Sequence, residues 1–156
     1  MKVIMQRRNF QALVFPFRKC SKVNCQYAIF KRKDSEYWQA IAGGGNSGES
    51  FLEAAKREAL EEGGIPRSSD YFVLETISSV AVHHFTEPTM IGKYVITEHC
   101  FAVDCSEIEI VLSPEHSEYR WVDYGNANQM LYWDSNRTAI WELNQRILDN
   151  KMLPAG

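Results

Sequence analysis

The segment from Gly43 to Ile65 constrains this chain more than any other: Gly43-x5-Glu49-x7-Arg57-Glu58-Ala59-x-Glu61-Glu62-x-Gly64-Ile65. A glycine-rich loop (Gly43, Gly44, Gly45, Gly48) leads into a helix that ends in clustered carboxylates. Ser50 followed by Glu53 is a capping-box start, and Gly63-Gly64 ahead of Ile65-Pro66 is a stop signal. At about 100° per residue, Glu58 and Glu62 project within about 40° of each other, with Glu61 roughly 60° to the other side. Phe51, Leu52, Ala54, Ala55 and Ala59 spread over an arc of about 160° that contains both Glu58 and Glu62. Two acids therefore sit on the face that must pack against the rest of the protein. A solvated charge face would put them opposite.

That placement carries a cost. Like charges near a helix C-terminus repel one another and oppose the helix dipole. Burying an unpaired carboxylate costs more still. Arg57 can offset part of this by pairing with Glu53 or Glu61 at i±4 spacing, and a divalent cation offsets it better. Hard cations such as Mg²⁺ take oxygen ligands, typically one or two carboxylates together with the oxygens of a bound phosphate. The loop–helix unit thus points to a divalent-metal site that handles a phosphorylated substrate.

The same stretch resembles the Nudix box, a 23-residue signature of hydrolases that cleave nucleoside diphosphates linked to another group. Gly43, Glu49, Arg57, Glu58, Glu61, Glu62 and Gly64 fill its fixed polar positions, and Ile65 closes it. Ala59 is smaller than the usual aliphatic residue, which affects packing. Asn46 stands where many members carry an acid, which removes one loop carboxylate from the expected ligands. The resemblance implies an α/β fold, a Nudix-type α/β/α sandwich with a mixed sheet between helices. It implies Mg²⁺ as cofactor, with Mn²⁺ as a substitute, held by Glu58, Glu62 and the backbone of Gly43. Arg57 would orient the carboxylates, and the attacking water would lose its proton to Glu61 or to a loop carboxylate such as Glu115.

Beyond the box, Thr97-Glu98-His99, Glu115-His116 before Tyr119-Arg120-Trp121-Val122-Asp123, and Ser135-Asn136-Arg137-x-Ala139-Ile140 follow the order of one Nudix subgroup. That subgroup comprises the bacterial dihydroneopterin triphosphate and dATP pyrophosphohydrolases. The expected reaction is cleavage of a nucleoside or pterin triphosphate to monophosphate and diphosphate. The rivals are a Nudix hydrolase of a nucleotide sugar or dinucleoside polyphosphate, and a non-catalytic nucleotide-binding module. By this resemblance Glu115 approaches the metals, although a solvated turn glutamate explains it as well. It lies more than fifty residues past the helix, so its loop is expected to swing in when substrate binds. Asn136 and Arg137 open a helix, where backbone N–H groups favour anions, and are candidate substrate contacts.

The remaining features set bounds. A chain of 156 residues, 45% hydrophobic and 24% charged, is read as one domain over 1–156. A formal charge of −3 offers no footprint for nucleic-acid polymers and leaves a small nucleotide open. No apolar run reaches the length of a membrane span, and the N-terminus lacks the pattern of a secretory signal. The expectation is a cytoplasmic monomer or homodimer. Cys20, Cys25, Cys100 and Cys105 lack zinc-knuckle spacing and read as reduced thiols.

Strands are expected at Ala12–Phe15, Cys25–Phe30, Trp38–Ile41, Phe72–Val82, Tyr94–Val103 and Tyr119–Val122. A basic turn at 18–22 and a stretch containing Pro88 and Gly92 join them. Asp134 or Ser135 would cap a closing helix carrying Ile140, Leu143, Ile147 and Leu148. Lys31, Arg32 and Lys33 read as a turn, and Arg32 is the candidate for a phosphate contact. His83 and His84 read as strand residues. Trp38, Phe85, Tyr94, Tyr132 and Trp133 could stack on a base or belong to the core.

Overall fold

Gly43, Gly44 and Gly45, expected as a loop, instead form part of a strand in one mixed sheet that leads into the helix, because their backbone pairs with the first strand. The computed structural model describes residues 7–21, 24–85 and 92–156; Lys22 of the expected basic turn and Pro88 lie outside these. The strands are β1 (Arg7–Lys19), β2 (Cys25–Arg32), β3 (Trp38–Gln39), β4 (Ile41–Asn46), β5 (Tyr71–Ala81), β6 (Val95–Asp104), β7 (His116–Val122) and β8 (Leu153–Pro154). The helices are α1 (Phe51–Gly63), α2 (Tyr124–Met130) and α3 (Asp134–Asp149).

The sheet runs β3-β2-β1-β6-β5-β8, with β4 added to β1 and β7 to β2. The β1–β6 pair is parallel, and the other strand pairs within the described residues are antiparallel. β1 organises the whole, because side chains alternate between faces along a strand. Phe10, Ala12 and Val14 pack with Ala54, Ala55 and Ala59 of α1 on one face. Leu13, Phe15 and Phe17 pack with Ala127 of α2 and with Ala139, Ile140 and Leu143 of α3 on the other. Cys100 and Cys105 fall into these opposite clusters. The expected α/β/α sandwich with a mixed sheet between helices is what the chain forms.

Local departures from expectation have physical causes. β1 extends through Arg18 and Lys19, which pair with Gln26 and Cys25 rather than forming the turn. β2 runs on through Lys31 and Arg32 because β7 pairs with it there. His83 and His84 lie in a short 3-10 turn at Val82–His84. The residue before α3 is Trp133, which provides no side-chain cap bond, so neither Asp134 nor Ser135 caps that helix. Arg137 closes the entry instead, donating to the carbonyls of Leu131 at 2.6 Å and Tyr132 at 3.1 Å.

Candidate active site

Helix α1 begins as its caps dictate. Ser50 accepts a bond from the Glu53 N–H, and Gly64 closes the other end with φ 64°, a left-handed conformation that glycine adopts freely. Fixed between those ends, α1 turns Glu58 and Glu62 inward and leaves Glu61 exposed. Glu62 is 5% exposed, accepts a bond from the Ala42 backbone, and has one oxygen, Oε2, buried without a partner. Burial first, then the charges of Glu58 and Glu115, push its carboxyl up to about 9. Burial also raises the Glu58 carboxyl, and Arg57 offsets part of that rise.

Arg57 ties loop to helix. Its Nε and Nη2 form a fork on Glu49 at 2.7 and 3.0 Å, and Nη2 also donates to the Gly44 carbonyl at 2.8 Å. Nη1 reaches Glu58 Oε1 at 2.8 Å and Glu61 Oε2 at 3.3 Å. The Arg57 guanidinium holds the Glu49 carboxyl below its usual range. Glu49 in turn accepts from the Asn46 N–H at 2.7 Å, so the loop is anchored at two points. The acidic partners of Arg57 are thus Glu49, Glu58 and Glu61; of the two expected, Glu61 is engaged and Glu53 is not.

Glu115 reaches the same place by its backbone. The Val111 N–H donates to the Gly63 carbonyl at 2.9 Å and the Ser113 N–H to that of Glu62 at 3.2 Å. Its loop is therefore already docked on the end of α1, and the expected swing is not needed to bring Glu115 to the cavity edge. Arg32 stands nearby, its guanidinium paired with Asp34 at 2.8 and 2.9 Å.

These groups line a single open cavity of about 1360 Å³ that contains Gly43, Arg32, Arg57, Glu58, Glu61, Glu62 and Glu115. Asn136 also lines it, while its Oδ1 accepts from the Ala40 N–H at 2.9 Å. Arg137 is not among the lining residues, since its guanidinium is taken up by the carbonyls before α3 and by Asp134. Of the aromatics, Trp133 and Phe85 line the cavity, whereas Trp38 lies beneath the Arg120 guanidinium and Tyr94 is exposed. Tyr37 and Gln39, not expected at the site, also line it, as does Glu98, which the sequence marked only within Thr97-Glu98-His99. Glu98 carried a readable signal, an acid in phase with Cys100 and Ala102 on the inward face of a strand.

Among the described residues, no three His, Cys, Asp or Glu side chains gather as a ready-made ligand set. The residues present still suit a hard cation that takes its remaining ligands from substrate. Glu62 has an unpartnered buried oxygen, and a Cβ on Gly43 would fall 2.1 Å from the Glu58 carboxyl carbon. The missing side chain leaves room for a carboxylate against bare backbone.

Comparison with known proteins agrees with this geometry. Residues 5–141 match the NUDIX domain family. A crystal structure from Listeria monocytogenes assigned to the NUDIX hydrolases is 42% identical, covering 92% of this chain and 97% of that one, with a TM-score of 0.83. The dihydroneopterin triphosphate diphosphatase of Escherichia coli K12 is 28% identical over 114 residues, 70% of this chain and 76% of that protein. Rat bis(5'-nucleosyl)-tetraphosphatase is 27% identical over 128 residues, 81% of this chain and 84% of that protein. The chain belongs to the Nudix family and is a Nudix hydrolase.

Proposed function

We propose that this hydrolase is a Mg²⁺-dependent pyrophosphohydrolase that cuts a nucleoside or pterin triphosphate to monophosphate and diphosphate. The observation that carries the reading is the buried Glu62 Oε2 without a partner beside the buried Glu58 carboxylate. Glu58, Glu62 and the Gly43 carbonyl are the residues that would hold the cation. When bound, it supplies Lewis-acid polarisation and neutralises charge on the phosphoanhydride oxygens.

The protein's own groups divide the remaining work. Arg57 orients Glu58 and fixes the loop, and does not touch substrate. Arg32, at the cavity rim, attracts the phosphates. Glu61 or Glu115 would take the proton of the attacking water. Asn136 shapes the wall at the start of α3, and Arg137 supports it from behind by holding the preceding turn. The likeness to the E. coli dihydroneopterin triphosphate diphosphatase supports a pterin triphosphate, while the similar likeness to the rat tetraphosphatase keeps a dinucleoside polyphosphate as the rival reading.

The test is product analysis by phosphorus NMR with Mg²⁺ and a panel of dihydroneopterin triphosphate, dATP, a nucleotide sugar and a dinucleoside tetraphosphate. Release of diphosphate from the first two, with turnover lowered at least about 10²-fold by Glu62→Gln, is expected. Full turnover in chelator, or in Glu62→Gln with its fold intact, would falsify the reading.

A further inference from the structure

Among the described residues, two buried side-chain oxygens that line the cavity have no hydrogen-bond partner, Glu62 Oε2 and Glu98 Oε1. The first belongs to the cation end. The second lies elsewhere, on β6, and the proposed reaction leaves it without a task. Strand register places the two regions. Gln11 of β1 pairs with Gly44 on one side and with Glu98 on the other. Glu98 therefore stands two strand spacings, about 10 Å, from the glycine strand. A sugar or a short polyol spans such a gap between a phosphate and a base.

The surroundings of Glu98 are those of a recognition wall. It is 5% exposed; burial raises its carboxyl, and a hydrogen bond from the Ser135 side chain lowers it in part. Asn136 Nδ2 donates to Ser135 Oγ at 3.3 Å, and its Oδ1 accepts from the Ala40 N–H, which fixes Ser135 in place. Trp133 lines the same cavity, its Nε1–H donating to Gln39 Oε1 at 3.2 Å. Asn136 and Gln39 thus have their carbonyl oxygens occupied. Glu98 Oε1 still needs a donor.

We propose that Glu98 reads the base of the substrate, its buried carboxylate accepting the neighbouring N–H donors of an aminopyrimidinone edge, the edge common to pterins and guanine. Trp133 supplies the flat wall beside the ring, and Ser135 and Asn136 position the carboxylate. An adenine edge offers an acceptor nitrogen beside its amino group and would turn a lone pair toward Glu98. A site built to bond an N–H discriminates strongly against a ligand that lacks it, because its buried polar group is then left unpaired. The proposal rests on the reading of this cavity as a nucleotide or pterin phosphate site, and extends it to the base.

The test is calorimetric binding without turnover, in chelator, of dihydroneopterin monophosphate, guanosine monophosphate and adenosine monophosphate. Wild type should bind the first two at least about 10-fold more tightly than the third, one well-formed hydrogen bond to a charged group. Glu98→Gln should weaken those two to near the adenosine value and leave adenosine monophosphate unchanged. Whichever of the pterin and guanosine ligands binds more tightly identifies the source of the edge. Ser135→Ala should shift the preference in the same direction by a smaller factor, and it carries the test if Glu98→Gln does not fold. Equal affinity for all three ligands in wild type, no measurable binding of any, or a uniform loss in the variants overturns the assignment. Since the readout is independent of hydrolysis, base discrimination without triphosphate cleavage would refute the proposed reaction and leave Glu98 as the base reader.

Discussion

Gly43 lies so close to Glu58 that a Cβ on it would stand 2.1 Å from the Glu58 carboxyl carbon. Gly43 does not have a positive φ, so the backbone itself accepts alanine. Gly43→Ala should therefore displace the carboxylate rather than break the strand. Turnover should fall by about 10²-fold, on the scale of losing a preorganised charge, with stability reduced by only about 1–3 kcal/mol of local overpacking. Steady-state kinetics and thermal melts check both halves. Turnover within about twofold of wild type would mean that the position of Glu58 is unimportant.

Arg57 and Glu49 form a fork between partners whose side chains are 16% and 17% exposed. Charge-assisted bidentate pairs of this kind are geometrically specific, and a lysine cannot reproduce the fork. Arg57→Lys and Glu49→Gln should each destabilise by about 2 kcal/mol, the scale of a lost bond to a charged group. The double variant should be little worse than either single one, because both remove the same contact. Urea unfolding of the four proteins gives the cycle, and strictly additive losses would count against a shared interaction.

The inward turn of Glu58 and Glu62 was legible because they share the periodic face of Ala54, Ala55 and Ala59. Most strands followed from their apolar and β-branched runs, but the glycines of β4 and the pair Leu153–Pro154 in β8 have no such run and did not. Helix α2 was not legible: Tyr124–Met130 contains Gly125, Asn126 and Asn128, poor helix formers, and its one buried residue is Ala127. What starts it is the Asp123 cap, accepting from the Asn126 N–H at 2.8 Å. The docking of Glu115 was hidden for a different reason. It depends on backbone bonds from Val111 and Ser113 to the end of α1, and backbone groups leave no mark in a side-chain pattern. Arg137 misled because its position at a helix start suggests an anion contact, while its neighbours' carbonyls claim it.

Stability in chelator should depend on pH through Glu62. Its folded carboxyl titrates near 9, above the ordinary 4.5, so between these values the folded state holds a proton that the unfolded chain has released. That contribution is complete below about 4.5 and is lost as pH rises through about 9. The melting temperature of the metal-free protein should decline between pH 6 and 9, and Glu62→Gln should flatten the decline. Excess Mg²⁺ should reverse the trend in wild type, since binding to the ionised carboxylate gains as the proton leaves. A wild-type slope matched by the variant would place the titrating group elsewhere.

Glu115 and Glu118 provide a matched pair for separating a working carboxylate from an incidental one. Glu115 lines the cavity, and its charge is felt at Glu62 and Glu58. Glu118, three residues on, points elsewhere and accepts from Arg120 Nε at 2.8 Å. Glu115→Gln removes a charge without changing shape, and the docked loop is held by backbone bonds that the change leaves intact. If Glu115 acts mainly in the transition state, kcat should fall by at least about 10²-fold with little change in KM. Glu118→Gln should be nearly neutral in both. The two variants should also keep the wild-type order of substrates, with a pterin triphosphate or dATP ahead of nucleotide sugars in kcat/KM. Equal kinetics for the two variants would remove Glu115 from the reaction and leave Glu61 as the candidate base. A rise in KM alone for Glu115→Gln would recast it as a residue that binds substrate without aiding the chemical step.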